Sequence, residues 1–335
     1  MARLMILGAG GMGTSLAVAF SNIGHEVTLW GHKPESNRLL REKRENERLL
    51  KGIKIPEAVE ITDTLEKAAA ADHIIIATPS VAFRETLERI KGLVKKGVPI
   101  VCTSKGFEVS SLLTLDEVAR QELPDNPFVA LTGPSHAEEM SRGIPTVLVA
   151  ASESEAAAES VQQLAEGSHI RIYTGRDVIG AEMGGALKNV IAFAAGISDG
   201  MGGGDNTKAA LMTRGLTEIA RLGVAMGASL ETFGGISGVG DLIVTCCSVH
   251  SRNRRCGFYV GEGLTVKEAV GKVGMTVEGI TAALCAYRLA EKYGVEMPIT
   301  RQIYRLIEGE ITAEKALEEL LGRPLRREHA RLDNI

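Results

Sequence analysis

The chain has 335 residues, beyond the size at which one hydrophobic core usually keeps growing, so two domains of roughly 150 residues are expected. Its 44% hydrophobic and 24% charged residues are an ordinary globular balance, while 38 glycines exceed the usual ~7% and point to tight turns and close backbone approaches. The formal net charge of −4 excludes a general nucleic-acid binder, which presents a basic face to phosphates.

Short apolar runs alternate with amphipathic stretches through the first half, the pattern of a parallel sheet wrapped by helices. Strands are predicted at 4–7, 26–30, 59–61, 73–77, 99–103, 128–131, 146–150 and 170–173. Several are almost wholly apolar, as buried parallel strands are. Helices are predicted between them at 15–23, 35–50, 65–70, 82–93, 112–121 and 154–165. After about Gly180 the β-rich runs stop, and helical composition takes over at 181–195, 208–226, 266–270, 280–293, 300–307 and 313–321. Glycine-rich punctuation at 200–204 and 234–240 separates these later helices. The predicted class is α/β, a parallel-rich sheet domain followed by an all-α C-terminal domain, with the boundary near residue 178 where the periodicity changes.

Five cysteines, Cys102, Cys246, Cys247, Cys256 and Cys285, are odd in number and show neither C-x-x-C spacing nor a paired His. Neither a disulfide framework nor a metal site is expected, and a reduced cytoplasmic chain fits that count. Met1-Ala2-Arg3 runs straight into a strand, leaving no room for a signal peptide. The longest apolar stretches, such as 190–195, fall short of the ~18 residues of a membrane span, so no membrane insertion is expected.

Gly8-Ala9-Gly10-Gly11-Met12-Gly13 is a G-x-G-x-x-G loop directly after the first strand and opening the first helix. In a dinucleotide-binding turn Gly8 allows the tight turn, Gly10 lets the backbone approach a pyrophosphate, and Gly13 lets helix and strand pack closely, with free helix N–H groups facing the anion. Residues 1–178 are therefore read as a Rossmann-like dinucleotide-binding domain, and 179–335 as a helical substrate-binding and catalytic domain. An NAD-selective site usually has an acidic residue at the end of the second strand, yet the sequence there is Leu29-Trp30-Gly31-His32-Lys33. His32 and Lys33 face a 2′-phosphate in one reading, which favours NADP or use of both cofactors, and are solvated residues at a helix start in the other. Thr78-Pro79-Ser80 and Thr103-Ser104-Lys105-Gly106 end strands at the edge where ligands bind, with Lys105 as a cation for a phosphate or nicotinamide, or only an exposed turn lysine.

Hydride transfer to a ketone needs a proton donor that recharges near neutral pH. His25, His169 and His329 fall at surface turns or the terminus, His73 begins a strand, and His136 and His250 lie near suggestive loops without standing out. Lys188 lies in Gly184-Gly185-Ala186-Leu187-Lys188-Asn189-Val190, an otherwise small and apolar helix, where burial and a neighbouring cation lower a lysine pKa and a carboxylate opposes that shift. The alternative is a lysine snorkelling from a buried helix. Gly238-Val239-Gly240-Asp241 is a glycine turn presenting a carboxylate, either to orient the lysine, to bind a hydroxyl or to cap a helix. Ser251-Arg252-Asn253-Arg254-Arg255 is a dense donor set for a phosphate dianion, or a solvated charge run.

In order, GAGGMG, SKGFE, LTGPSHAEE, EMGGALKNVIA, GVGDLIVTC, SRNRR and GMTVEGI resemble the bacterial NAD(P)-dependent glycerol-3-phosphate dehydrogenases along nearly the whole chain. The resemblance implies hydride exchange between glycerol 3-phosphate and dihydroxyacetone phosphate, in supply of phospholipid synthesis, with Lys188 as proton acceptor and donor at C2; in the mechanism this suggests, Asp241 orients the lysine or a hydroxyl. It implies that Lys105, Gly133, Ser135, Lys188, Asp241, Ser251, Arg252 and Asn253 contact a small phosphorylated substrate. Cofactor contacts are implied for Gly11, Met12, His32, Lys105, Ala137, Arg252, Thr276 and Glu278, beside Gly8, Gly10 and Gly13 of the loop; a homodimer stays open. Gly11 stands where the family more often has Ser, and Leu49 where an aromatic is common. Two rival readings exist: a ketopantoate reductase or β-hydroxyacid dehydrogenase, whose substrate carboxylate has no need of SRNRR, and a nucleotide-sensing regulator without catalysis, against which Lys188, Asp241 and residues 251–253 argue.

Overall fold

The computed structural model describes residues 1–325 and 327–328. His329 and the end of the predicted helical domain lie outside the described residues. The first half builds one eight-stranded sheet in the order β3-β2-β1-β4-β5-β6-β7-β8. Its strands are β1 Arg3–Leu7, β2 Glu26–Trp30, β3 Glu60–Thr62, β4 His73–Ile76, β5 Ile100–Cys102, β6 Phe128–Thr132, β7 Thr146–Ala151 and β8 Ile170–Gly175. All eight predicted strands are present: the central ones, β1, β4, β5 and β6, are short apolar runs buried almost throughout, and the edge strand β8 shows the buried–exposed alternation of a strand covered on one face. β4 is buried at every residue, and β1 lies between β2 and β4 with all three parallel.

β7 departs from the parallel rule and runs antiparallel to β6. The connection between them carries only the helix α5, Ala137–Met140. Four helical residues cover ~6 Å, too little to return the chain to the far edge of the sheet.

The other helices of this half are α1 Gly11–Asn22, α2 Pro34–Lys43, α3 Phe83–Ile90, α4 Leu115–Glu122 and α6 Glu155–Leu164, with 3₁₀ turns at Glu66–Ala70 and Ser80–Ala82. Two expectations are corrected. The helix expected at 35–50 stops at Lys43, where Arg44 takes a left-handed cap with φ 49° and its guanidinium reaches the carbonyls of Ile55, Pro56 and Val59. The helix expected from residue 112 starts at Leu115, because Leu112 itself has φ 61° and Thr114 with Glu117 forms a capping box.

The second half is helical: α7 Val178–Gly200, α8 Asp205–Ala225, α9 Leu230–Phe233, α10 Asp241–Cys247, α11 Arg252–Gly261, α12 Val266–Val273, α13 Glu278–Tyr293, α14 Pro298–Ile307 and α15 Ala313–Leu321. A single π turn, Ile236–Gly240, leads into α10. The sequence reading had no helix at α9, α10 or α11; glycines mark the approach to α10, and the arginines opening α11 read as a charge run until Ser251 is seen to cap them.

α7 is buried from Gly180 to Ile197 and is the axis of this domain. It crosses α11 at near backbone contact. A Cβ on Gly196 would overlap the Arg254 carbonyl, and one on Gly257 the Phe193 carbonyl; Gly200 and Gly261 meet the partner helix in the same way one turn on. The expectation that no apolar stretch is long enough to span a membrane is also corrected: Val178–Gly200, and the segment Leu230–Cys247, pass that test of length and hydropathy. For α7, 94% of the apolar window is buried inside the fold, so its composition is that of a core helix.

Two buried carboxyls tie helices together by their N-termini. Glu182 of α7 accepts N–H groups of Leu115 and Asp116 at the start of α4, and Glu218 of α8 accepts those of Ile299 and Thr300 at the start of α14. Burial pushes Glu182 up to about 8, with Asp116 adding, and Glu218 up to about 7, although the backbone donors oppose both shifts. Each carboxyl thus binds its proton more tightly in the fold than in the unfolded chain, where 4.5 is its ordinary value. Their contribution to stability is complete below that value and is lost as pH rises through about 7 and about 8. Thermal unfolding from pH 6 to 9 should show a Tm loss that Glu182→Gln makes shallower; an identical pH slope in the variant would refute the assignment.

Candidate active site

The glycine loop is shaped by close contacts on its inner side. Gly8 has φ +119°, and a Cβ there would lie 2.7 Å from the Ala77 carbonyl carbon and oxygen, while one on Gly13 would overlap the Gly8 carbonyl. On the outer side, a Cβ on Gly10 would meet nothing within 4 Å, and the N-terminus of α1 has no side-chain cap. Free N–H groups with an open approach fit a dinucleotide pyrophosphate. Asn46, which the sequence reading did not single out, holds the loop by donating to the Ala9 carbonyl at 3.2 Å and to Thr14 Oγ1 at 3.1 Å.

Gly11 lies against Ala137 and Leu49, with its Cβ position 3.6 Å from the Ala137 Cβ. Met12 lines a narrow cleft with Thr103, Lys105 and Ser135, so the loop opens toward the end of β5. His32 and Lys33 are exposed between β2 and α2, and Asn37 fixes the preceding backbone by donating to the Gly31 carbonyl at 2.7 Å.

Lys105, Lys188 and Asp241 meet in three dimensions although 136 residues separate the first from the last. Lys105 Nζ donates to Asp241 Oδ2 at 2.7 Å and reaches the Gly133 carbonyl at 3.4 Å; Lys188 Nζ donates to Asp241 Oδ1. Asp241 is 0% exposed and Lys188 6%. Glycine spacing explains the meeting. A Cβ on Gly184 would overlap the Ser237 carbonyl, so α7 lies directly on the π turn, and four residues further along each segment Lys188 meets Asp241. Burial drives the Lys188 pKa down from the ordinary lysine range; the Lys105 charge adds to that effect and Asp241 opposes it. Two cations around one carboxylate leave a net positive charge, which suits an anionic ligand.

Around this centre, Gly133 has φ +136°, with its Cβ position 2.9 Å from the Val147 carbonyl, and Ser135 Oγ donates back to the Gly133 carbonyl at 2.9 Å. Thr132 Oγ1 donates to Ser237 Oγ at 2.8 Å, joining β6 to the π turn.

The basic run divides on folding. Ser251 caps α11 by accepting from Arg254 N. Asn253 is buried, donating to Asn189 Oδ1 at 2.8 Å and accepting from Gly279 N at 2.9 Å, so it joins α7, α11 and α13. Arg254 pairs with Asp199, which also holds Lys208 at 2.9 Å. Arg252 alone of these is exposed, and it faces Glu278 closely enough to counter the burial that raises that carboxyl, as Lys105 and Lys188 also do. Among the described residues, no hydrogen bond links His32 or the exposed Thr276 to this cluster. A larger open groove between α13, α14 and α15, lined by Tyr287, Arg301 and Arg323, has none of the predicted residues on its wall.

Sequence profiles match two parts of one family: the NAD-dependent glycerol-3-phosphate dehydrogenase N-terminus at residues 3–158 and its C-terminus at residues 177–318. A glycerol-3-phosphate dehydrogenase [NAD(P)+] of Clostridium perfringens is 47% identical over 329 residues, 98% of this chain and 99% of the relative. One of Bacillus pumilus is 46% identical, covering 96% of this chain and 95% of its own length. The solved structure of glycerol-3-phosphate dehydrogenase from Coxiella burnetii superposes with a TM-score of 0.92 at 36% identity, over 96% of this chain and 99% of that one.

The electrostatic balance at Asp241 has a direct test in the titration of Lys188, followed by the NMR shift of its carbon-13-labelled ε-carbon. The midpoint should move to lower pH in Asp241→Asn, which loses the opposing charge, and to higher pH in Lys105→Met, which loses the second cation. A midpoint unmoved in both variants contradicts the triad.

Proposed function

The chain belongs to the NAD-dependent glycerol-3-phosphate dehydrogenase family, and on that premise we propose how its residues divide the reaction. The activity is an oxidoreductase interconversion of sn-glycerol 3-phosphate and dihydroxyacetone phosphate with NAD or NADP. The flow of glycerol 3-phosphate toward phospholipid synthesis belongs to that family role.

The observation that carries the assignment is Asp241, whose two carboxylate oxygens hold Lys188 and Lys105 in a buried cluster. Lys188, neutral, takes the proton of the C2 hydroxyl of glycerol 3-phosphate, and as the ammonium ion it returns a proton to that oxygen of dihydroxyacetone phosphate. Its lowered pKa makes both forms accessible near neutral pH. A nicotinamide bound at the glycine loop would supply the hydride acceptor for C2 in oxidation and the hydride donor in reduction. Asp241 fixes the Lys188 amine, and Lys105, beside the Gly133 carbonyl, keeps the centre cationic. Arg252, with the remaining donors of Ser251 and Asn253, binds the substrate phosphate; Gly133 and Ser135 border the glycerol chain.

The dinucleotide would be held by Gly8, Gly10, Gly11, Met12 and Gly13 at the pyrophosphate, by Ala137 and Lys105 further in, and by Arg252, Thr276 and Glu278 from the helical half. His32 would meet the adenosine ribose or a 2′-phosphate on it. A division into a dinucleotide-binding part, 1–178, and a helical part, 179–335, is supported by the end of β8 at Gly175 and the start of α7 at Val178.

The same proposal makes the protein cytoplasmic and without membrane insertion, supported by the burial of α7, and recovery without detergent checks it. We also propose that the chain assembles as a homodimer. Sedimentation velocity reads the assembly directly, and a monomer at micromolar concentration contradicts it.

Lys188→Ala should lower kcat by ~10²–10⁴, the loss typical of removing a general acid or base, with the cofactor Kd nearly unchanged in a fluorescence titration. Near-wild-type turnover overturns the assignment. For Arg252→Ala, kcat/KM should fall for dihydroxyacetone phosphate and much less for free dihydroxyacetone; equal losses remove the phosphate role.

A further inference from the structure

A hydrogen bond between the two halves, beside the paired lysines, has no part in the assignments above. Thr132 Oγ1, at the end of β6, donates to Ser237 Oγ in the π turn at 2.8 Å. The two residues are 3% and 2% exposed, so a hydroxyl left alone there has no ready access to water. The Thr132 methyl faces α7, where the Cβ position of Gly185 lies 3.7 Å from Thr132 Cγ2 and 3.7 Å from Lys105 Cδ. Gly133, next in the chain, brings its Cβ position to 3.0 Å from Ile236 Cγ2 of the same π turn.

Ser237 makes a second contact through its main chain. A Cβ on Gly184 would overlap its carbonyl, so one residue carries α7 on its backbone and β6 on its side chain. Asp241 opens α10 directly after this turn. The backbone contact therefore sets where Asp241 meets Lys188 of α7, and the hydroxyl contact sets where it meets Lys105 of the sheet half. π turns are rare, and within helices they recur at functional sites.

We propose that the Thr132–Ser237 hydrogen bond is the positioning joint of the active site, holding the helical half, with its base and phosphate donors, at the separation from the dinucleotide half that hydride transfer needs, an inference that rests on Lys188 being the base and on the glycine loop holding the dinucleotide. Reacting atoms must approach to ~3–3.5 Å, and a misplacement of ~1 Å can cost ~10²-fold in rate. Each half binds its own ligand without the joint, so the cost of cutting it falls on the chemical step. Thr132 and Ser237 touch neither ligand in this role; they act through the placement of Asp241, Lys105 and Lys188. Glu182 ties α7 to the start of α4 at a separate point, so the halves stay together when the joint is cut.

The test uses the full-length enzyme reducing dihydroxyacetone phosphate. Ser237→Ala and Thr132→Val should each lower kcat about 10-fold, part of the ~10² that a full misplacement costs. KM for dihydroxyacetone phosphate and the cofactor Kd from fluorescence titration should stay within about twofold, while the primary isotope effect with nicotinamide-deuterated cofactor grows as hydride transfer becomes slow. Each single change strands one buried hydroxyl and removing both strands neither, so Thr132→Val/Ser237→Ala should regain Tm over the single variants while its kcat stays low. Thr132→Ser keeps the hydroxyl and should keep kcat within about twofold. In the free enzyme the carbon-13 shift of the Lys105 ε-carbon should change in Ser237→Ala and that of Lys188 much less, since Gly184 still seats α7 on the turn. Should the single variants fail to fold, the double variant and Thr132→Ser carry the test. Wild-type kcat, isotope effect and Lys105 shift in a folded Ser237→Ala overturn the joint and leave the base assignment intact, as does a double variant whose kcat recovers with its Tm. Turnover that survives Lys188→Ala overturns the base assignment, and the joint with it.

Discussion

One buried carboxylate organises this molecule's centre. Asp241 receives a lysine from the end of a central β-strand on one oxygen and a lysine from the middle of the core helix α7 on the other. Withdrawing three charges from water costs several kcal/mol for each ion unless each is paired and hydrogen-bonded, so removing Asp241 would strand two cations in a closed space. The same contact ties the sheet to the helical half at the point where the glycine loop opens. The cluster holds one anion for two cations, which attracts an anionic ligand, while burial lowers the basicity of Lys188, opposed by Asp241 and reinforced by Lys105.

Close helix crossings make that contact geometrically available. α7 carries glycines wherever another backbone must come near: Gly184 under the π turn, and Gly196 and Gly200 under α11. α11 answers with Gly257 and Gly261. Without side chains at the crossing, the helices pack on backbone, and the hydrogen bonds of Asn253 to Asn189 and of Gly279 to Asn253 set their register. Arg254 and Lys208 on Asp199 fix the far end of the same helix. The consequence is rigid placement of Ser251 and Arg252 relative to Lys188, which a phosphate clamp on a surface loop would lack.

Legibility followed from how local each signal was. The central strands could be read because a strand buried on both faces is nearly continuous in apolar residues, and the edge strand β8 because its residues alternate between buried and exposed; no neighbour is needed to see either pattern. The extent of α2 could not, because Arg44 leaves the helix for carbonyls eleven to fifteen residues away. Nor could α11, since three arginines in five residues carry no periodic apolar mark, and only Ser251 gives a local cap signal. Asn46 and Asn189 were silent for a related reason: each acts by a hydrogen bond to a distant segment, and an asparagine in isolation reads as a surface or turn residue.

The sequence by itself determined the order of the eight strands, most of the helices, the glycine turn for a dinucleotide, and the family, through motifs that are contiguous and chemically specific. It named Lys105, Lys188 and Asp241 but left each with a bland alternative: a turn lysine, a snorkelling lysine and a helix cap. Only the tertiary structure decided among those, because the pKa of a lysine depends on burial and on charges a few ångströms away, and both are set by segments far apart in the chain. It likewise decided that the basic run is one capped, half-buried helix start and not a uniform charged surface, since the burial of Asn253 and the pairing of Arg254 with Asp199 follow from the α7 crossing and from nothing within the run itself.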